Sequence, residues 1–252
     1  MKAAIVQYTP EWENPLSSIK KIEKLLGNYN GKPDLIIFPE LTLTGFTMSA
    51  EKFAEDIDGI STRFFMNVSH ELDTNVFAGI IERTEEGFYN SLVHFYKGLI
   101  AARYRKIHPF SYGKEDVYYR ASKEIVVTNI GNVKIGLTIC YDLRFPELYR
   151  LYAKEGVELI INIANWPIPR IEHWKTLLKA RAIENQCFVI GANRVGEDTQ
   201  HKYNGCSAVF DPMGNEIVMC ENEEKIIECE FDLSLVNETR NKFPFLRDMK
   251  LI

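Results

Sequence analysis

"GLTICYDLRFPELYR" (residues 136–150) is the stretch from which the rest of this chain can be read. An apolar run stops abruptly at Cys140, polar and aromatic residues follow, and a helical pattern starts near Pro146, a residue suited to a first helical turn. Gly156, just past "PELYRLYAKEG", marks the helix end. "VELIINIAN" (157–165) is then a short apolar run, which predicts a strand buried on both faces. Strand, helix and buried strand in succession indicate an α/β unit. A cysteine at the tip of such a strand is either core packing or a thiol held out for chemistry.

Working outward, "KAAIVQY" (2–8) predicts a strand, and Ile19, Ile22, Leu25 and Leu26 recur at helical spacing up to Gly27. "DLIIFPE" (34–40) is a second buried strand. A helix is expected around 61–72 and a strand at 75–83. Hairpins are expected at the "KG" of residues 97–98, the "GN" of 131–132 and around 212–214. "IEHWKTLLKARAIENQ" (171–186) predicts a helix, in which Arg181 and Glu184 are spaced to pair. "CFVIGANRVG" (187–196) and "KIIECEFD" (225–232) predict strands, and 232–242 a last helix. Alternating strand–helix–strand units and hairpins, without a linker or low-complexity segment, predict an α/β protein of mixed sheets covered by helices.

The 252 residues suit one domain, 1–252. A formal charge of −5 argues against a nucleic-acid partner. The apolar run at the N-terminus is too short for a signal peptide, and no run has the length of a membrane span. Five cysteines without a CxxC pair point to a reduced, cytoplasmic protein. The five histidines lack metal-ligand spacing, and none pairs with nearby cysteines.

Strands ending near Glu40, Cys140 and Asn165 break at polar residues, and ligand crevices of α/β sheets lie beyond strand carboxyl ends. Cys140 sits on a strand–turn–helix elbow of the kind that displays a nucleophile and aims backbone N–H groups at an oxyanion. Glu40 ends a wholly apolar strand, where desolvation would suit it to act as a general base. Lys106 closes "GLIAARYRK" (98–106), and Glu115 lies in the polar loop that follows. Taken singly, each has a plain structural reading: a buried thiol, a solvated strand-end carboxylate, a solvated lysine, an exposed acid.

Taken together, these residues resemble the nitrilase superfamily of carbon–nitrogen hydrolases. "LIIFPELTLTGF" (35–46) carries its glutamate motif, "YRKIHPF" (104–110) its lysine motif and "ICYDLRFPELYR" (139–150) its cysteine motif, in the family's order. The resemblance implies a four-layer αββα sandwich of two mixed sheets flanked by helices, a homodimer and no cofactor. It implies Glu40 as general base, Lys106 as oxyanion-stabilising cation, Cys140 as nucleophile and Glu115 as the second glutamate. Residues 165–196 and 240–249 look like the bacterial omega-amidase branch. That likeness implies hydrolysis of the terminal amide of small 2-oxo dicarboxylic acid monoamides, 2-oxoglutaramate or 2-oxosuccinamate, to the acid and ammonia. On this reading the Tyr141 N–H completes the oxyanion site, Arg170 anchors the substrate carboxylate, and Trp166 and Phe46 form apolar walls. Arg144 and Glu147 read as braces of the elbow, and Arg181 and Glu184 as structural. The alternatives are another amidase, carbamoylase or nitrilase of the superfamily, a non-catalytic binding protein, or a thiol redox protein, which the missing CxxC disfavours.

Overall fold

The computed structural model describes residues 1–251; residue 252, the last of the expected domain, lies outside them. One six-stranded sheet comprises β1 (Lys2–Gln7), β2 (Leu35–Ile37), β3 (Asn75–Thr84), β4 (Gly87–Tyr96), β5 (Leu99–Arg105) and β13 (Lys225–Glu230), in the order β13-β1-β2-β3-β4-β5. The other has seven: β6 (Val127–Ile130), β7 (Val133–Ile139), β8 (Leu159–Ala164), β9 (Phe188–Asn193), β10 (Val195–Glu197), β11 (Lys202–Phe210) and β12 (Glu216–Glu221). Its order is β10-β11-β9-β8-β7-β6, with β12 on β11. Both sheets are mixed: β1–β2–β3 and β7–β8–β9 run parallel, and hairpins supply the antiparallel edges.

Strand alternation explains the layering. Ala3 and Ile5 of β1 and Leu35 and Ile37 of β2 point to a shared core with Ile135, Leu137 and Ile139 of β7 and Leu159, Ile161 and Ile163 of β8. Their neighbours Ala4, Val6 and Ile36 point the other way, against Ile22 of α1 (Pro15–Gly27) and Phe65 and Val68 of α3 (Ile60–Glu71). On the far side, Ile160 and Ala164 meet Leu148, Tyr149 and Tyr152 of α5 (Pro146–Lys154) and Trp174 and Leu178 of α6 (Ile171–Asn185). A period of two that is apolar on both faces requires cover on both faces, hence helix, sheet, sheet, helix. Val236 of α7 (Ser234–Lys242) closes the margin of the inter-sheet core. The expected αββα architecture is therefore the observed one. No helix among the described residues is long and apolar enough to cross a membrane.

Local chemistry sets the boundaries. Asn14 caps α1 by accepting from Ser17 N at 3.2 Å, with Pro15 in the first turn. The strand expected over 34–40 is shorter: Phe38 N still donates to Phe77 O (2.8 Å), but Pro39 has no N–H to continue the ladder. Glu40 thus stands beyond the strand, not on it. The run 187–196 divides into β9 and β10 at Arg194. Two one-turn helices, α2 (Ala50–Phe53) and α4 (Glu115–Tyr118), lie in stretches too short for periodicity to mark.

Candidate active site

Strand direction brings the candidate residues to one end of the sandwich. β3 runs parallel to β2, and two antiparallel steps make β5 run the same way, so Glu40 after β2 and Lys106 after β5 emerge together. Glu115, the first residue of α4, folds back onto Lys106. In the second sheet, parallel β7 and β8 deliver Cys140 and Asn165 to the same side. Asn165 joins the two sheets: its N–H donates to Glu40 Oε2 (2.9 Å) and its Nδ2 to the Glu40 carbonyl (2.7 Å).

Lys106 Nζ lies 2.8 Å from Glu40 Oε1 and 2.9 Å from Glu115 Oε2, and all three side chains are buried. Asn90 Nδ2, from mid-β4, donates to both carboxylates at 2.8 Å. Phe110 N donates to Glu115 Oε2 at 2.6 Å. Every charge here is paired and hydrogen-bonded, the condition for tolerating buried charge. Burial disfavours the ammonium of Lys106, but the carboxylates of Glu115 and Glu40 outweigh that and hold it well above its ordinary pKa. Burial raises the pKa of Glu115, and the Lys106 charge opposes that rise. Gly79 of β3 permits the packing behind Glu40: a Cβ there would lie 2.4 Å from Leu41 N and 3.0 Å from Glu40 Cα.

Cys140 has φ +45°, a left-handed conformation uncommon for a residue with a side chain, and begins a tight turn (Cys140–Arg144) into α5. Leu41, directly after Glu40, has the same φ of +45°. Such conformations persist only where the surroundings enforce them. At Cys140 the enforcing group is Asp142. Its buried carboxylate accepts from Ile139 N (2.9 Å), Tyr104 OH (2.8 Å) and His108 N (3.0 Å), with His108 Nδ1 at 2.8 Å. His108 in turn stacks on Phe145, ring centroids 3.8 Å apart. The turn bearing Cys140 is thereby tied to the segment bearing Lys106. Burial, and then the charge of Glu40, push the thiol well above its ordinary pKa despite the opposing pull of Lys106.

Cys140 is half-buried and opens onto a cleft. Tyr141, Phe46, Trp166 and Arg170, each expected at the substrate, all line it. Phe46 also lies 5.5 Å from Lys106 Nζ. Asn193, at the end of β9, fixes Trp166 by accepting from its N–H (2.7 Å) and donating to its carbonyl (2.9 Å). The elbow braces differ from expectation: Glu147 is exposed and Arg144 lines the cleft, so Asp142 braces the turn instead. Arg181 does pair with Glu184, at 2.9 Å.

Sequence reasoning marked the strand end at Asn165 but gave that residue no role, and it passed over Asn90, Phe110, His201 and Tyr203. Asn90 had a signal, a lone amide within the apolar alternation of "FYNSLVHF". His201 and Tyr203 had none, because they reach the cleft only through the pairing of β10 with β11. The Tyr203 hydroxyl donates to Asp198 Oδ2 (2.5 Å), and Arg194 packs 4.4 Å from its ring. Among the described residues, no group of three or more His, Cys, Asp or Glu side chains is arranged to hold a metal ion.

Comparison with known proteins accords with this geometry. The profile of the carbon-nitrogen hydrolase family matches residues 2–241. The chain is 33% identical over 248 residues to a 2-oxoglutaramate amidase of Bacillus subtilis, covering 97% of this chain and 96% of that one. It is 30% identical over 250 residues to the omega-amidase YafV of Escherichia coli K12, covering 98% and 96%. Its fold superimposes with a TM-score of 0.95 at 33% identity on XC1258 of Xanthomonas campestris, a CN-hydrolase superfamily protein with an arsenic adduct in its active site, covering 100% and 98%. The chain belongs to the carbon–nitrogen hydrolase family, whose members include amide-hydrolysing enzymes.

Proposed function

We propose that this carbon–nitrogen hydrolase, as a single domain over 1–252, cleaves the terminal amide of small 2-oxo dicarboxylic acid monoamides such as 2-oxoglutaramate and 2-oxosuccinamate. The supporting observation is that Cys140 lines an aromatic cleft with arginines in its wall, while its thiol feels the charges of the buried Glu40, Lys106 and Glu115. The names of the similar amidases favour the same substrate class.

In this mechanism Glu40 takes the thiol proton as sulfur attacks the amide carbonyl. Burial, and then the charge of Glu40, raise the thiol pKa, which favours transfer of the proton to Glu40 as the bond to carbon forms. Lys106 and the Tyr141 N–H hold the oxyanion. Glu40 returns the proton to nitrogen, the C–N bond breaks, ammonia leaves and a thioester remains. Water, deprotonated by Glu40, then attacks the thioester, and the acid departs as the thiol regains its proton. Glu115 and Asn90 keep Lys106 aimed at the reacting carbonyl. The five free thiols suit a reducing cytoplasm, and a homodimer is the expected assembly.

The test is ammonia release by purified protein from 2-oxoglutaramate, 2-oxosuccinamate, an aliphatic nitrile and an N-carbamoyl amino acid. Turnover confined to the 2-oxo acid amides, and lost in a folded Cys140→Ala variant, is the expected result. Preferred turnover of the nitrile or carbamoyl compound would overturn the substrate reading, and activity retained by Cys140→Ala would overturn the nucleophile.

A further inference from the structure

Asn165 follows β8 and lines the cleft that holds Cys140, yet only 5% of it is exposed. Its backbone N–H donates to Glu40 Oε2 at 2.9 Å. Burial dominates the rise in the Cys140 thiol pKa, and a hydrogen bond from this same N–H is among the influences that oppose it. The side-chain Nδ2 donates to the Glu40 carbonyl at 2.7 Å and faces Glu40 Oε2 at 3.3 Å. Those two oxygens fix the orientation of the amide, because an Oδ1 in the place of Nδ2 would meet only lone pairs. Oδ1 is therefore the free end, and no donor among the described residues reaches it. A buried carboxamide oxygen without a donor is uncommon and unfavourable. Asn90 Oδ1 also lacks a donor, but Asn90 is not among the residues lining the cleft.

A substrate nitrogen can supply the missing donor. To protonate that nitrogen, Glu40 must come within hydrogen-bond reach of it. Glu40 Oε1 already accepts from Lys106 and Asn90, both at 2.8 Å, so the freer oxygen is Oε2, the one beside Asn165. A carboxamide nitrogen brought to Oε2 has N–H groups to offer Oδ1. We propose that Asn165 Oδ1 accepts a hydrogen bond from the reacting amide nitrogen, which makes Asn165 a catalytic residue that selects a nitrogen leaving group. The inference rests on the proposed amide hydrolysis at Cys140. As sulfur bonds to the carbonyl carbon, the thiol proton passes through Glu40 to nitrogen, the C–N bond breaks and ammonia leaves; Asn165 exchanges no proton. Nitrogen gains a third hydrogen and positive charge on the way, so this hydrogen bond strengthens towards the transition state. The alkoxy oxygen of an ester has no hydrogen to offer and sets its lone pairs against Oδ1, which leaves the acceptor unpaired.

The experiment measures kcat/KM in the wild type, Asn165→Ala and Asn165→Asp for two pairs of substrates that share an acyl group. The pairs are 2-oxoglutaramate with 5-methyl 2-oxoglutarate, and propionamide with methyl propionate. Each pair forms one thioester, so thioester hydrolysis drops out of the amide-to-ester ratio, as does any loss of folded enzyme. In Asn165→Ala that ratio should fall roughly 30-fold, mainly through kcat for the amide. Asn165→Asp keeps an oxygen acceptor. A second carboxylate beside Glu40 should slow both reactions, but the ratio should stay within about threefold of the wild type, which keeps the test open if the alanine variant does not fold. Equal losses for amide and ester in Asn165→Ala, as for a residue that only holds Glu40 in place, would overturn the acceptor. So would a ratio in Asn165→Asp that falls roughly 30-fold. A wild type that releases ammonia from propionamide but not from 2-oxoglutaramate would refute the 2-oxo acid reading, and the second pair would still test Asn165. One that releases ammonia from neither would refute both.

Discussion

Asp142→Asn should disturb the elbow without touching a reacting group. The carboxylate is fully buried and has four partners: Ile139 N (2.9 Å) and Tyr104 OH (2.8 Å) at Oδ2, His108 N (3.0 Å) and Nδ1 (2.8 Å) at Oδ1. An amide of the same shape offers one acceptor oxygen and one NH2. The Tyr104 hydroxyl can rotate and His108 can change tautomer, but a backbone N–H cannot reverse. Either flip of the amide therefore sets NH2 against the N–H of Ile139 or of His108. The smallest loss is one charge-assisted hydrogen bond, about 1.5–3 kcal/mol, with a buried donor left unsatisfied. A destabilisation of about 3 kcal/mol lowers Tm by roughly 6–12 °C in a chain of this size. The displaced backbone is next to Cys140 in one flip and two residues after Lys106 in the other, and a shift near 1 Å at reacting groups costs ~100-fold. Thermal melting followed by circular dichroism, with ammonia-release kinetics on the same sample below the melting range, should show both losses, the second in kcat more than KM. A variant melting within about 2 °C of wild type, with kcat within a factor of about three, would refute the bracing argument.

Gly79→Ala places a methyl 2.4 Å from Leu41 N, against backbone that cannot rotate away, so Glu40 must move; kcat should fall at least roughly tenfold while the far-UV spectrum stays that of the wild type. Because burial and the charge of Glu40 raise the Cys140 thiol well above its ordinary value, its alkylation by iodoacetamide should still be accelerating as pH rises through the ordinary thiol range, and a plateau near neutral pH would contradict that environment. His94 is buried between Asn75 Oδ1 (3.0 Å) and Thr128 Oγ1 (2.8 Å), and desolvation lowers its pKa to about 4. The unfolded chain binds that proton first, so stability should fall by about 3 kcal/mol as pH drops from roughly 6.5 to 4. Urea midpoints measured across that window should decline more steeply for the wild type than for His94→Gln, and equal slopes would exclude His94 as the cause.

Much of the fold was legible because burial periodicity is local. The apolar run in "KAAIVQ" and the nearly continuous apolarity of "LIINIA" state that both faces of these strands are covered, and Pro146 and Gly156 bracket the helix that covers one of them. The ordered motifs around Glu40, Lys106 and Cys140 identified the family and the end of the sheet where a site would form. Arrangement across segments was not legible. Glu115 gave no sign of folding back onto Lys106, and nothing near Arg144 indicated that it faces the cleft while Asp142 holds the turn. Residue order determines which face of each element is buried and where each strand stops, since those depend on neighbours a few positions apart. Which side chains meet was decided by the stacking of two sheets and the path of their loops, because side chains as distant in sequence as those of Glu40 and Asn165 become neighbours only when chain ends converge.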